Sequence, residues 1–144
     1  MLIEVKAKVA RIIDGKTRKR TESFITDKEL FAEAELAVMQ NLTAEKNQGV
    51  VEDFEIQSLR TSPIKEVAPQ FDGNLTFVAT LKDIWIDDDG TEKLLKYKVL
   101  LWADDLTQAN QHISHLARQG YDMQIEGIKQ VDYEYLTTLN NGEN

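Results

Sequence analysis

Two stretches of this chain run in the same register. Asp14-Gly15 and Asp89-Gly90 stand 75 positions apart, and so do Phe31-Ala32-Glu33-Ala34 and Leu106-Thr107-Gln108-Ala109. Further on, Ile56-Gln57-Ser58-Leu59 and Ile125-Glu126-Gly127-Ile128 are 69 apart, so the second half has a helix-to-strand loop six residues shorter. A register that persists from a turn through a helix marks an internal repeat, and it narrows the fold more than composition can. A unit of about 70 residues buries too little apolar surface to be stable alone, so each half is expected to cover the hydrophobic face of the other.

Each half reads strand, strand, helix, strand. Ile3, Val5, Ala7 and Val9 alternate with Glu4, Lys6 and Lys8, the period of a half-buried strand over Ile3 to Ile13. Asp14-Gly15 then marks a two-residue hairpin, because both central positions of such a turn need positive φ. The return strand is expected over residues 16–25. Thr26 or Asp27 is placed to cap a helix over residues 28–42, with Leu30, Phe31, Ala34, Val38 and Leu42 on one face and acids in its first half. Residues 43–49 are polar and expected to break it, before a strand over 50–60 with Phe54, Ile56 and Ser58 on one side. Residues 61–74 hold both prolines and read as a linker or crossing connection. The order then repeats: a strand over 75–86, a turn at Asp87-Asp88-Asp89-Gly90, and a strand over 93–103. A helix capped by Asp104 or Asp105 follows to Arg118, with Leu106, Ala109, Ile113 and Leu116 or Ala117 on its apolar face. Gly120 is expected to end it, a strand to run over 123–133, and residues 137–144 to form a flexible polar tail. The expected fold is α+β, an internally duplicated ββαβ-ββαβ chain forming one pseudo-twofold domain with antiparallel sheet or sheets and two helices. Repeat one spans 1–62, the linker 63–74 and repeat two 75–136.

Composition narrows the chemistry. With 42% hydrophobic and 29% charged residues among 144, the chain can bury a core. The absence of cysteine removes disulfides, thiolate nucleophiles and Cys-based metal sites, and two histidines leave little for a His-rich one. No apolar run is long enough for a membrane helix, and Met1-Leu2-Ile3-Glu4-Val5-Lys6 lacks the layout of a signal peptide, so a cytoplasmic protein without a membrane partner is expected. The net charge of -8 opposes bulk attraction to nucleic acid, but a local patch can override it.

Such a patch exists. Lys6, Lys8, Arg11, Lys16, Arg18, Lys19 and Arg20 place seven of the 17 basic residues within fifteen positions, opposed there by Asp14 alone. On a hairpin they would crowd one ribbon. Phosphate binding requires such convergence, because several contacts must add their counterion release. Three readings stand: a solvated edge hairpin guarded by its charges, a phosphate or nucleic-acid contact, and a contact with an acidic protein. The counterpart turn, Asp87-Asp88-Asp89-Gly90, is acidic. It fails as a calcium loop, since Trp85 and Lys96 occupy the terminal ligand positions, and reads as a hairpin turn. A heterologous contact between this acidic turn and the basic hairpin of a neighbouring copy would build rings or filaments, so a homo-oligomer is among the expectations.

Other constellations read as structural. His112 and His115 share a helix face but lack further ligands for zinc. Asp27, Glu29, Asp104 and Asp105 sit where helix caps and first-turn acids belong. No nucleophile elbow and no glycine-rich phosphate loop occurs, so no catalytic residue, no metal and no cofactor is expected. The aromatic residues Trp85, Tyr97, Trp102, Tyr121, Tyr133 and Tyr135 read mostly as core, with an exposed subset available to stack on bases.

The segment Glu22-Ser23-Phe24-Ile25-Thr26-Asp27, followed by Leu30-Phe31-Ala32-Glu33-Ala34-Glu35 and then by Asp53-Phe54-Glu55-Ile56 with Ser58-Leu59-Arg60, resembles a family of unknown function numbered 4494. The second half is similar to it as well, from Lys98-Val99-Leu100-Leu101 and Ala103-Asp104-Asp105-Leu106 through Tyr121-Asp122-Met123-Gln124-Ile125. The resemblance implies a protein of gut bacteria, their prophages or their phages, acting in the host cytoplasm if phage-encoded, and supplies no catalytic or binding residue. The combined expectation is a small non-enzymatic binding protein that holds single-stranded nucleic acid or a nucleotide through the first hairpin. The alternatives are an anti-defence or interaction protein acting on a host protein or a nucleotide signal, and an enzyme assembled across the two halves.

Overall fold

The computed structural model describes residues 1–118 and 123–137. Two helices and eight strands lie in two four-stranded, mainly antiparallel sheets, an α+β fold. The chain forms two compact units. One comprises Met1–Ser62 with the chain from Asp132 onward, and the other Pro63–Val131. The expected ending of the second helix at Gly120 and the tail beyond residue 137 lie outside the described residues, as does Tyr121.

In the first unit, β1 (Ile3–Ile13) and β2 (Lys16–Thr26) form the expected hairpin, paired from Ile3↔Thr26 to Ile13↔Lys16. Asp14 (φ 53) and Gly15 (φ 77) both take the positive φ that a two-residue turn demands. β3 (Val51–Thr61) pairs with the other edge of β1, and β8 (Tyr133–Leu136) runs parallel to β2, giving the order β3-β1-β2-β8. α1 (Phe31–Asn47) packs on one face, where Ile3, Val5, Ala7, Val9 and Phe24 meet Ala34, Val38 and Leu42.

Several boundaries differ from the expectation, each for a local reason. Thr26 and Asp27 do not cap α1. Thr26 remains in β2, opposite Ile3, and its hydroxyl donates to the Ile3 carbonyl at 3.4 Å. The helix therefore starts at Phe31, after Leu30 as an N-cap without a side-chain bond, and Leu30 and Phe31 are exposed rather than on the core face. It also continues through residues 43–47 and stops before Gly49, whose φ of 79 ends it. Ser58 is not on the core side with Phe54 and Ile56. A bulge shifts the β1–β3 register so that Ser58 faces Lys6 while Ala7 faces Ile56, and Leu59 replaces Ser58 against the core.

The second unit has the order β4-β6-β5-β7. Its strands are β4 (Ile64–Val67), β5 (Leu75–Ile86), β6 (Glu92–Ala103) and β7 (Gln124–Val131). α2 (Leu106–Leu116) begins 75 positions after α1, as the register requires. Asp105 is its cap, accepting from the Gln108 N–H at 2.8 Å, and beyond Leu116 the chain continues as a π-helical turn over residues 117–118, so the helical stretch reaches the expected Arg118. Leu106 is exposed, while Ala109, Ile113, Leu116 and Ala117 are buried. The register break between β5 and β7, at Thr80/Leu81 opposite Gly127 and Ile125, lies 69 positions after the Ile56 to Ser58 bulge.

Residues 63–74 are more than a linker. Ile64–Val67 form β4, parallel to β6, with Ile64 and Ala68 buried. β8 lies 69 positions later and joins the first unit's sheet, so the strand that follows each ββαβ stretch completes the sheet of the other. Gly73 meets the backbone of Ala103 where β5 begins, and an added Cβ would overlap those atoms. Gly73→Ala is expected to cost about 2 kcal/mol, within the range for overpacked sites. Urea denaturation checks this, and an unchanged midpoint would contradict the close approach.

Candidate functional site

Strand alternation divides the seven basic residues of the first hairpin between two faces. Lys6 and Lys8 point away from α1, and Lys19, opposite Ala10, shares that face. Arg11 follows Val5, Ala7 and Val9 in parity, so it lies on the α1 face with its cross-strand partner Arg18, flanked by Arg20 and Lys16. The hairpin does not bring all seven cations together.

Arg11 is engaged within the first unit. Its side chain, 12% exposed, donates through Nε and Nη2 to both Glu22 oxygens, with Nη2–Oε1 at 2.7 Å. Its remaining donors reach Glu45 of α1 at 2.9 and 3.2 Å. Arg20 adds a bond to Glu22 at 2.9 Å. This cluster closes the polar end of the first core, and it explains why α1 persists through its last polar turn, where Glu45 is anchored. Burial works against the Glu22 carboxylate, yet the bonds from Arg11 and Arg20 outweigh it and hold the carboxyl below its usual range. Glu134, on β8 beside Phe24, goes the other way: burial raises its pKa, Glu45 and Glu22 add to the rise, and Arg11 opposes them.

Carboxylates also flank the opposite face. Lys8 stands across from Glu55, and Ala10 across from Asp53, on β3. A shallow hollow of about 140 Å³ joins Lys8 and Lys19 to these two acids and Phe54. The hairpin tip is different. Residues 12–21 are all exposed, and β3 pairing stops at Arg11↔Val51, one backbone bond from the Ile12 N–H to the Val50 carbonyl lying beyond it. Lys16, Arg18 and Arg20 follow one another on one side of β2 at about 7 Å intervals, twice the strand rise. Among the described residues, Lys16, Arg18 and Lys19 have no ion-pair partner.

The remaining expected groups are structural in their contacts. His112 stacks on Phe71 with ring centroids 4.7 Å apart, and its Nδ1 lies 3.0 Å from the Trp102 carbonyl oxygen. Among the described residues, no group of three or more His, Asp or Glu is placed to hold a metal ion. No described helix is long and apolar enough to cross a membrane. Asp87 organises its turn by accepting from the Asp89 and Thr91 N–H groups, both at 3.0 Å.

Sequence reasoning missed the Arg11 cluster, although the signal was available: Arg11 has the same parity as Val5, Ala7 and Val9, which sends it to the core face. Glu45 and Glu134 carried no such mark, because their positions depend on how α1 and β8 dock. A family described as a domain of unknown function (DUF4494) matches residues 2–136. No curated protein and no solved structure matches the chain.

Proposed function

We propose, for a chain that belongs to the DUF4494 family of domains of unknown function, a non-enzymatic binding role in which the tip of the β1–β2 hairpin contacts the phosphates of single-stranded nucleic acid. The observation that carries this reading is the row of Lys16, Arg18 and Arg20 along one side of an exposed strand. A row of cations at a regular interval suits a flexible polyanion, which can adjust its phosphates to them. Arg20 keeps its terminal nitrogens for a phosphate while its Nε holds Glu22. Lys6, Lys8, Lys19 and Arg11 are outside this row, the first three on the opposite face, where Lys8 and Lys19 lie beside Glu55 and Asp53, and the last enclosed by Glu22 and Glu45. The family resemblance adds a phage or prophage setting and the host cytoplasm as the place of action.

Fluorescence anisotropy with a labelled single-stranded oligonucleotide, across a salt series, tests the role. Three phosphate contacts are expected to give a slope of about −2 in log affinity against log salt. Replacing Lys16, Arg18 and Arg20 by serine is expected to flatten that slope and abolish measurable binding. Absence of binding by the unaltered protein at low salt would end the nucleic-acid reading.

A further inference from the structure

The β5–β6 hairpin leaves its sheet in the same way as the first, but with the opposite character. The last β5 residue paired with β7 is Lys82 and the first β6 residue paired with β4 is Lys98, so among the described residues the ribbon between them has no third strand on either side. Ile84, Ile86 and Leu94 lie on one face, and Trp85 and Leu95 on the other. All five are exposed, Trp85 at 48% and Ile86 at 69%. A two-stranded ribbon is marginal by itself, and one that shows large apolar side chains on both faces is built to be covered.

Charge identifies the cover. Residues 83–96 carry five acids against two lysines, a formal excess of three negative charges, while residues 12–21 carry four cations against Asp14, an excess of three positive charges. At the acidic tip, Asp87 is engaged with its own turn and Lys93, but Asp88, Asp89 and Glu92 have no cation within ion-pair distance among the described residues. The basic arm also offers apolar surface, Ile12 and Ile13, beside its cations. Two acidic arms would repel each other, as would two basic ones, so the charge pattern selects an unlike pair. Both arms are open to solvent within one chain.

We infer that copies of this chain associate head to tail, the acidic apolar β5–β6 arm of one copy seating against the basic β1–β2 arm of the next. Ion pairs join Asp88 and Asp89 to Lys16, Arg18 and Lys19, and Trp85 takes an arginine over its ring face. Such a contact is heterologous: it propagates until a ring closes, and it leaves one arm of each kind open at the ends of any unclosed assembly. It also places the acidic arm in competition with nucleic acid for the same cations.

Sedimentation velocity on the full chain, over a concentration series at low and high salt, tests the inference. The unaltered protein is expected to assemble at low salt and dissociate as salt rises. The Asp88→Lys/Asp89→Lys variant and the Arg18→Asp/Lys19→Asp variant are each expected to associate at least about 100-fold more weakly, since each opposes like charges. Mixing the two is expected to restore assembly, because each then meets its complement. All four positions are exposed, and circular dichroism verifies that the folds persist. A monomer at every concentration, or undiminished assembly by the Arg18→Asp/Lys19→Asp variant alone, would overturn the head-to-tail contact. Oligonucleotide binding by the unaltered protein reports separately on the basic arm, so failure of the unaltered protein to assemble, with oligonucleotide binding retained, refutes this contact and leaves the nucleic-acid role standing.

Discussion

Phe24→Ala is expected to destabilise the protein by about 4 kcal/mol, while Phe31→Ala, seven residues later, is expected to change stability by about 0.5 kcal/mol or less. Phe24 is fully buried, in one cluster with Val5, Val38 and Leu136, so truncation removes both its transfer free energy and the contacts that line the cavity left behind. The sheet and helix that hold the site cannot collapse onto that space without breaking strand pairing. Phe31 is the first residue of α1 and about half exposed, because β2 continues through Thr26 and the chain needs the next residues to reach the helix. Urea denaturation of the two variants measures both effects. Equal costs would place Phe31 in the core and contradict the observed start of α1.

Arg11→Met is expected to cost about 3 kcal/mol at neutral pH, at the lower edge of the range for breaking a buried ion pair, since Glu45 retains partial exposure. Methionine fills much of the same volume but leaves Glu22, Glu45 and Glu134 near one another, with Arg20 still bonded to Glu22. The pH dependence separates charge from packing. Glu22 is held below its ordinary pKa, so its contribution is present above the unfolded value and is lost as pH falls through the folded one. Glu134 is raised, so its contribution is present below the unfolded value and is lost as pH rises through the folded one. Without Arg11 the first effect shrinks and the second grows. The difference between variant and unaltered protein is therefore expected to narrow from pH 7 to about pH 4, where the carboxyls protonate. A difference constant over that interval would assign the loss to packing instead.

These two arginine and phenylalanine cases mark where local pattern suffices and where it stops. The alternation of Ile3, Val5, Ala7 and Val9 identifies the strand and its buried face, and Asp14-Gly15 identifies the turn, because both depend on contacts within a few residues. The 75-residue register places the starts of α1 and α2 correctly relative to each other, even though capping chemistry at Thr26 and Asp27 suggests an earlier start for α1. That error has a nonlocal cause: Thr26 is claimed by pairing with Ile3, which no local propensity encodes. The bulge that exchanges Leu59 for Ser58 is of the same kind, since one extra residue inverts the facing of everything beyond it.

The candidate site was legible as a concentration of charge and not as an arrangement. Lys16, Arg18 and Arg20 form a row because a strand sends alternate residues to one side, whereas Lys6, Lys8 and Lys19 go to the other. Arg11 leaves the patch because α1 brings Glu45 to it from 34 positions away. The acidic turn could be read from Asp87-Asp88-Asp89, but the uncovered apolar ribbon beneath it could not, since exposure depends on where β4 and β7 stop pairing.

By itself, then, the sequence determined the α+β class, both hairpins, the two helices and the repeated order, all consequences of short-range periodicity and turn chemistry. The tertiary structure alone decided that β4 joins the sheet of the second ββαβ stretch and β8 that of the first, that Arg11 is enclosed by carboxylates, and that two oppositely charged arms are exposed among the described residues. Those outcomes turn on which distant backbones pair and where the pairing ends, and a free energy summed over contacts between remote segments leaves no local mark on the residues that make them.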